Sequence, residues 1–110
     1  MPIKIIYLDD EEALCKIFSQ YYGSDQVNIK TFVDANEAIK FCQVNPPDLF
    51  FIDYRLSGIT GDDVAFAVEE SIPKILVTGD ISFTSKYNFH QVISKPFDFN
   101  KVQKLINHYL

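Results

Sequence analysis

A chain of 110 residues has room for one compact domain, and 15 acidic against 10 basic residues give it a net charge of −5. That balance argues against a sequence-independent grip on nucleic acid, which needs a basic footprint, and against attachment to an anionic membrane. No apolar run approaches bilayer-spanning length, and the N-terminal "MPIKII" lacks a signal-peptide pattern. Cys15 and Cys42 have neither a CxxC spacing nor a His partner at a zinc-like interval. They read as reduced thiols packed like small apolar groups, which fits a cytoplasmic protein.

Strand-like and helix-like segments alternate. "IKIIYL" (3–8) is a short apolar run. Leu14, Ile17, Phe18 and Tyr21 then fall at i, i+3, i+4 and i+7, predicting an amphipathic helix, which Gly23 ends. "VNIKTF" (27–32) alternates apolar and polar, as a half-exposed edge strand does. Asp34, with Glu37 three residues on, reads as the N-cap of a helix whose apolar stripe is Ala35, Ala38, Ile39 and Cys42. Pro46 and Pro47 stop it. "DLFFID" (48–53) is near-continuously apolar, as in a strand buried on both faces. "YRLSGITG" reads as a loop, Val64, Ala67 and Val68 as a short helix, and "KILVT" (74–78) and "QVIS" (91–94) as two more strands. Val102, Leu105, Ile106 and Tyr109 mark a last helix capped by Asp98. Between them, 79–90 is poor in helix formers, predicting one or two helical turns or a loop. The expected fold is α/β: a doubly wound, five-stranded parallel sheet in the order 2-1-3-4-5, over a single domain spanning 1–110.

Polar residues stand where four strands end. Asp9 and Asp10 follow the first strand, Asp53 ends the third, Thr78 the fourth, and Lys95 follows the fifth. In open parallel sheets ligands bind outside the carboxyl ends of strands, at the switch point in strand order. Three carboxylates meeting there share protons or hold a cation. All-oxygen ligands favour Mg²⁺, which keeps several waters and binds phosphate oxygens well. Lys95 and Thr78 suit the other oxygens of a phosphoryl group, and Asp53 is left as nucleophile. Taken singly, each residue has a plainer explanation: a solvated helix start for Asp9–Glu12, a turn former for Asp53, a snorkelling lysine for Lys95. The conjunction is what argues for a site. Glu11 and Glu12 read as exposed, dipole-favoured residues outside it.

The pieces "YLDDEEAL", "PDLFFIDYRLSGITG", "KILVTGD" and "ISKPF", in that order, resemble the receiver domain of two-component response regulators over the full length of the chain. The resemblance implies a flavodoxin-like fold, a phosphoryl group taken from a sensor histidine kinase or histidine phosphotransfer protein onto Asp53, and a downstream effector. It implies that Asp9, Asp10 and Asp53, with the backbone carbonyl of Arg55, hold Mg²⁺, and that Thr78 and Lys95 contact the phosphoryl group. It implies a cis Lys95-Pro96 peptide and a turn at Gly61. No output domain is expected within these residues, and no enzyme activity beyond the domain's own phosphorylation and dephosphorylation.

Three features depart from the family pattern. Ser57 stands where Pro is usual, and Val92 where an aromatic ring is usual. Segments 62–73 and 79–90 are each short by roughly one helical turn, so the third and fourth helices are expected to be short. Among alternatives, an aspartyl phosphohydrolase would carry a second acid two residues after Asp53, where Arg55 stands. A flavin-binding module would not place four carboxylates after the first strand. A pseudo-receiver, an interaction module of the same fold without phosphorylation, is the remaining alternative.

Overall fold

The computed structural model describes residues 2–79 and 85–110. Its strands are β1 (Ile3–Leu8), β2 (Val27–Phe32), β3 (Leu49–Asp53), β4 (Arg55–Leu56), β5 (Ile59–Thr60), β6 (Lys74–Thr78) and β7 (Gln91–Ser94). Its helices are α1 (Glu12–Tyr22), α2 (Ala35–Val44), α3 (Gly61–Ala67) and α4 (Phe99–His108). The main sheet has the order β2-β1-β3-β6-β7, with every pairing parallel. This is the expected 2-1-3-4-5 arrangement once the two-residue strands β4 and β5 are set aside. Those two form an antiparallel hairpin inside the segment read as a loop. Gly58 turns it at φ +75°, a conformation that strains any residue with a Cβ.

Alternating side chains of the central strands feed two cores. On one face Ile5, Tyr7, Phe51 and Val77 pack with Cys15, Phe18 and Tyr22 of α1 and with Val102 and Ile106 of α4. On the other, Ile6, Leu8, Phe50 and Ile52 pack with Ala38 and Cys42 of α2 and Val64 and Ala65 of α3. All five residues of β3 are buried, as its continuous apolar run requires. Truncating a ring such as Phe51 to Ala would cost about 3–5 kcal/mol.

Helix caps follow their residue types. Asp34 accepts from the Glu37 N–H at 2.9 Å and Asp98 from the Lys101 N–H at 3.1 Å. Thr60 and Asp63 form a reciprocal capping box on α3, a T-x-x-D signal not picked out from the sequence. At seven residues α3 is short, as expected. Both cysteines are buried free thiols, and burial pushes each up to about 11.

Two helix stripes are corrected. In α1 the buried residues are Cys15, Phe18 and Tyr22, whereas Ile17 and Tyr21 are 44% and 58% exposed. The apolar face is wider than the strip the sheet covers. Tyr22 turns inward, its hydroxyl donating to the Phe99 carbonyl. Tyr21 lies outside against the Phe99 ring, with centroids 4.5 Å apart. In α3, Ala65 faces the core in place of the predicted Ala67. Gly23 does end α1, but at φ −66°. A Cβ there would lie 2.6 Å from the Ser19 carbonyl oxygen, so close approach rather than a left-handed turn selects glycine.

Residues 85–90 form no helix or strand before β7. Tyr87 and Phe89 instead pack against the α2/α3 core as partly buried rings. Residues 80–84, including Phe83, lie outside the described residues.

Candidate functional site

β1, β3, β6 and β7 deliver the predicted residues to one end of the sheet. A pocket of about 600 Å³ there is lined by Asp10, Glu11, Asp53, Arg55, Thr78 and Lys95, among others. Asp9, Asp10 and Asp53 each bring a carboxylate oxygen within 4.8 Å of the other two. Asp9 and Asp53 are buried while Asp10 is exposed. Lys95 bridges the buried pair, its Nζ lying 2.9 Å from Asp9 Oδ2 and 3.1 Å from Asp53 Oδ1. The Lys95-Pro96 peptide that precedes α4 is cis.

The electrostatics are those of a site with excess negative charge. Burial first, then the charge of Asp9, raise the Asp53 carboxyl to about 6, against the opposing pull of Lys95. Burial works against the Lys95 charge, but its hydrogen bonds and ion pairs with Asp9 and Asp53 outweigh that and hold it above the usual lysine value. A divalent cation beside Asp53 would relieve the remaining imbalance. The donors are all oxygens and one acid is open to solvent, a fit to a hard, partly hydrated cation.

The backbone around Asp53 is set by Gly61. Its N–H donates to the Tyr54 carbonyl at 2.7 Å. A Cβ at this position would lie 2.7 Å from the Asp53 carbonyl oxygen and 3.0 Å from Tyr54 Cα. Only glycine lets α3 begin this close to the strand end. Glu11 is exposed at the N-cap of α1 and lines the rim. Glu12 pairs with Lys16 at 3.8 Å on the surface. Arg55 lines the pocket; Asp80, two residues after Thr78, lies outside the described residues.

Two residues of consequence were not singled out in the sequence. Tyr7 donates its hydroxyl to Asp9 Oδ2 at 2.8 Å from inside the core. The alternation of a strand, which puts residues 7 and 9 on one face, was the available signal. Asp62, beside Gly61, is a buried acid that binds Ser85 and Lys86. Nothing local in the sequence distinguishes it from its exposed neighbour Asp63.

The family model of the response regulator receiver domain matches residues 5–107. The chain therefore belongs to the response regulator receiver domain family. Among similar solved structures is the response regulator TrrA of Thermotoga maritima in complex with Mg²⁺-BeF. It has a TM-score of 0.87 and 22% identity, with 100% of both chains covered. Chemotaxis response regulator CheY4 of Vibrio cholerae gives 0.85 at 20% identity, again covering 100% of both chains. A CheY-like receiver domain from Methylobacillus flagellatus gives 0.87 at 16% identity, covering 98% of each. At these identities the likeness establishes the fold. Comparison with curated proteins returned no match. Among the described residues, no helix is long and apolar enough to cross a membrane.

Proposed function

We propose that this domain receives a phosphoryl group on Asp53 from a phosphohistidine of a sensor kinase or phosphotransfer protein, in the cytoplasm, and passes the change to a downstream effector. The observation that carries the reading is the setting of Asp53. It is 6% exposed, linked to Asp9 through the bridging Lys95 ammonium, and part of the lining of a pocket open to a donor. Asp9, Asp10 and Asp53, with the Arg55 backbone carbonyl, are the groups to hold Mg²⁺. That cation, when bound, supplies charge neutralisation for the phosphoryl oxygens. The complex of TrrA with Mg²⁺-BeF supports this choice by analogy.

The chain's own residues do the rest. An Asp53 carboxylate oxygen attacks phosphorus. The new O–P bond forms as the N–P bond to the donor imidazole breaks, and the imidazole leaves with the electron pair and takes up a proton. Lys95 has a charge to offer the transferred oxygens, already directed at Asp53. Thr78, at the end of the adjacent strand, contributes a hydroxyl to the same group. Hydrolysis later returns the carboxylate and releases phosphate.

Intact mass before and after incubation with acetyl phosphate and Mg²⁺ tests the reading. One added phosphoryl group, absent with chelator and absent in Asp53→Asn, is expected. A wild-type protein that stays unmodified, while folded and Mg²⁺-bound, would make it a pseudo-receiver interaction module.

A further inference from the structure

Tyr7 is fully buried. Its ring stacks on Phe18 with centroids 4.3 Å apart and meets Phe97 edge-on at 6.0 Å. The ring is therefore fixed, and its hydroxyl can point to one place. That place is Asp9 Oδ2, 2.8 Å away. The same oxygen takes the Lys95 ammonium at 2.9 Å. The other carboxylate oxygen, Oδ1, accepts from the Glu11 N–H at 2.9 Å. Asp9 is thus pinned at both oxygens and cannot rotate to give Lys95 a fresh one.

Two donors on one oxygen compete. Each draws charge from it and weakens its hold on the other. Lys95 has a second partner, Asp53 Oδ1 at 3.1 Å, so the strength of the Asp9 contact decides how the ammonium is shared. We propose that Tyr7 is a positioning residue of the site: by occupying Asp9 Oδ2 it loosens the grip of Asp9 on Lys95 and keeps the ammonium directed toward Asp53. The proposal rests on the phosphoryl-transfer reading for its functional consequence. Its structural part, the sharing of Lys95, stands independently of that reading.

Tyr7→Phe is the direct test, because it removes one oxygen and keeps the stacked ring. Without the hydroxyl, Asp9 Oδ2 has its charge free for Lys95 and pulls it off Asp53. Three readouts on the full chain separate the outcomes. In metal-free protein carrying ¹³C-labelled lysine, the Lys95 Cε–Hε signal should shift between wild type and Tyr7→Phe. The rate of phosphorylation by acetyl phosphate at saturating Mg²⁺ should fall about 3- to 10-fold. Affinity for Mg²⁺ alone, by calorimetry, should hold or rise, because Asp9 has lost a donor and kept its charge. A general loosening of the fold would weaken metal binding and phosphorylation together, and that result overturns the proposal. So does an unmoved Lys95 signal. If wild type takes no phosphoryl group at all, the phosphoryl-transfer reading fails, and the Lys95 signal still decides whether Tyr7 controls the ammonium.

Discussion

Asp62 Oδ1 accepts a hydrogen bond from the Ser85 hydroxyl at 2.7 Å, joining residues 23 positions apart. The other oxygen accepts from the Lys86 N–H at 2.8 Å. Asp62 follows Gly61, which touches the backbone of Asp53 and Tyr54. Ser85 follows the stretch that leaves Thr78. The pair therefore ties the loop after the proposed acceptor to the segment after β6, near the place where a fourth crossover helix was expected.

That tie makes 79–90 the segment expected to respond to the site. The aromatic position three residues before Lys95 holds Val92, which is 45% exposed and too short and stiff to swing inward. Amide hydrogen exchange with and without beryllium fluoride and Mg²⁺ should change across 79–90 more than across 98–109. Asp62→Ala should speed exchange at 85–90 in both states and lower stability by about 1 kcal/mol, the net cost of losing two part-buried hydrogen bonds. Identical exchange of 79–90 in both states, with other regions responding, would move the signal to another face.

Lys74 gives a second handle on the same segment. It is 1% exposed. Its Nζ donates to the Glu69 carbonyl and to the Tyr87 hydroxyl, each at 2.8 Å, with no carboxylate among its described partners. Tyr87→Phe takes away one acceptor and leaves the ammonium buried, so it should destabilise by about 1–3 kcal/mol. Lys74→Met added to it should recover most of that loss, because the unpaired charge is gone. Thermal melts of the two variants decide it, and a double variant weaker than Tyr87→Phe would contradict the account.

The pH dependence follows from Asp53, whose carboxyl is raised to about 6, first by burial and next by Asp9. An acid with a raised folded-state pKa stabilises the fold while protonated, and that contribution disappears as pH rises through the folded value. In chelator, wild type should therefore lose stability relative to Asp53→Asn between about pH 4 and 7. The gap should level off above that range and close when Mg²⁺ is added. The charge of Asp10 is a smaller cause of the same shift. Asp10→Asn should gain only a few tenths of a kcal/mol in the metal-free protein, as exposed charges do. A gap that stays constant with pH would show that Asp53 is not under strain.

Arg55 stands two residues after Asp53 on the rim of the pocket. Under the proposed function, its side chain is expected to hinder the water that hydrolyses an aspartyl phosphate at Asp53. Arg55→Ala should change the dephosphorylation rate constant without abolishing phosphorylation. An unchanged constant, measured by phosphate release, would remove Arg55 from that role.

The sheet was legible because its signals are local. "DLFFID" and "KILVT" are buried strands by composition, and polar residues at strand ends mark the pocket edge. The strand-end set Asp9, Asp10, Asp53, Thr78 and Lys95 meets in space because parallel strands put all their carboxyl ends on one side. What stayed hidden depends on partners distant in sequence. The inward turn of Tyr22 needs the Phe99 carbonyl, and the burial of Asp62 needs Ser85 and Lys86. The Tyr7 hydroxyl belongs to an apolar run, and only the fold sets Asp9 against it. The hairpin at Ser57-Gly58 has strands of only two residues, too short to leave a strand pattern in the sequence.

Under the proposed function, Asp53 alone carries the phosphoryl group. Borohydride reduces an aspartyl phosphate to homoserine, and peptide sequencing by mass spectrometry then places the change. After reaction with acetyl phosphate and Mg²⁺, homoserine should appear at position 53 and nowhere else, and Asp53→Asn should yield none. Homoserine at Asp9, Asp10 or another acid, with position 53 intact, would contradict the account.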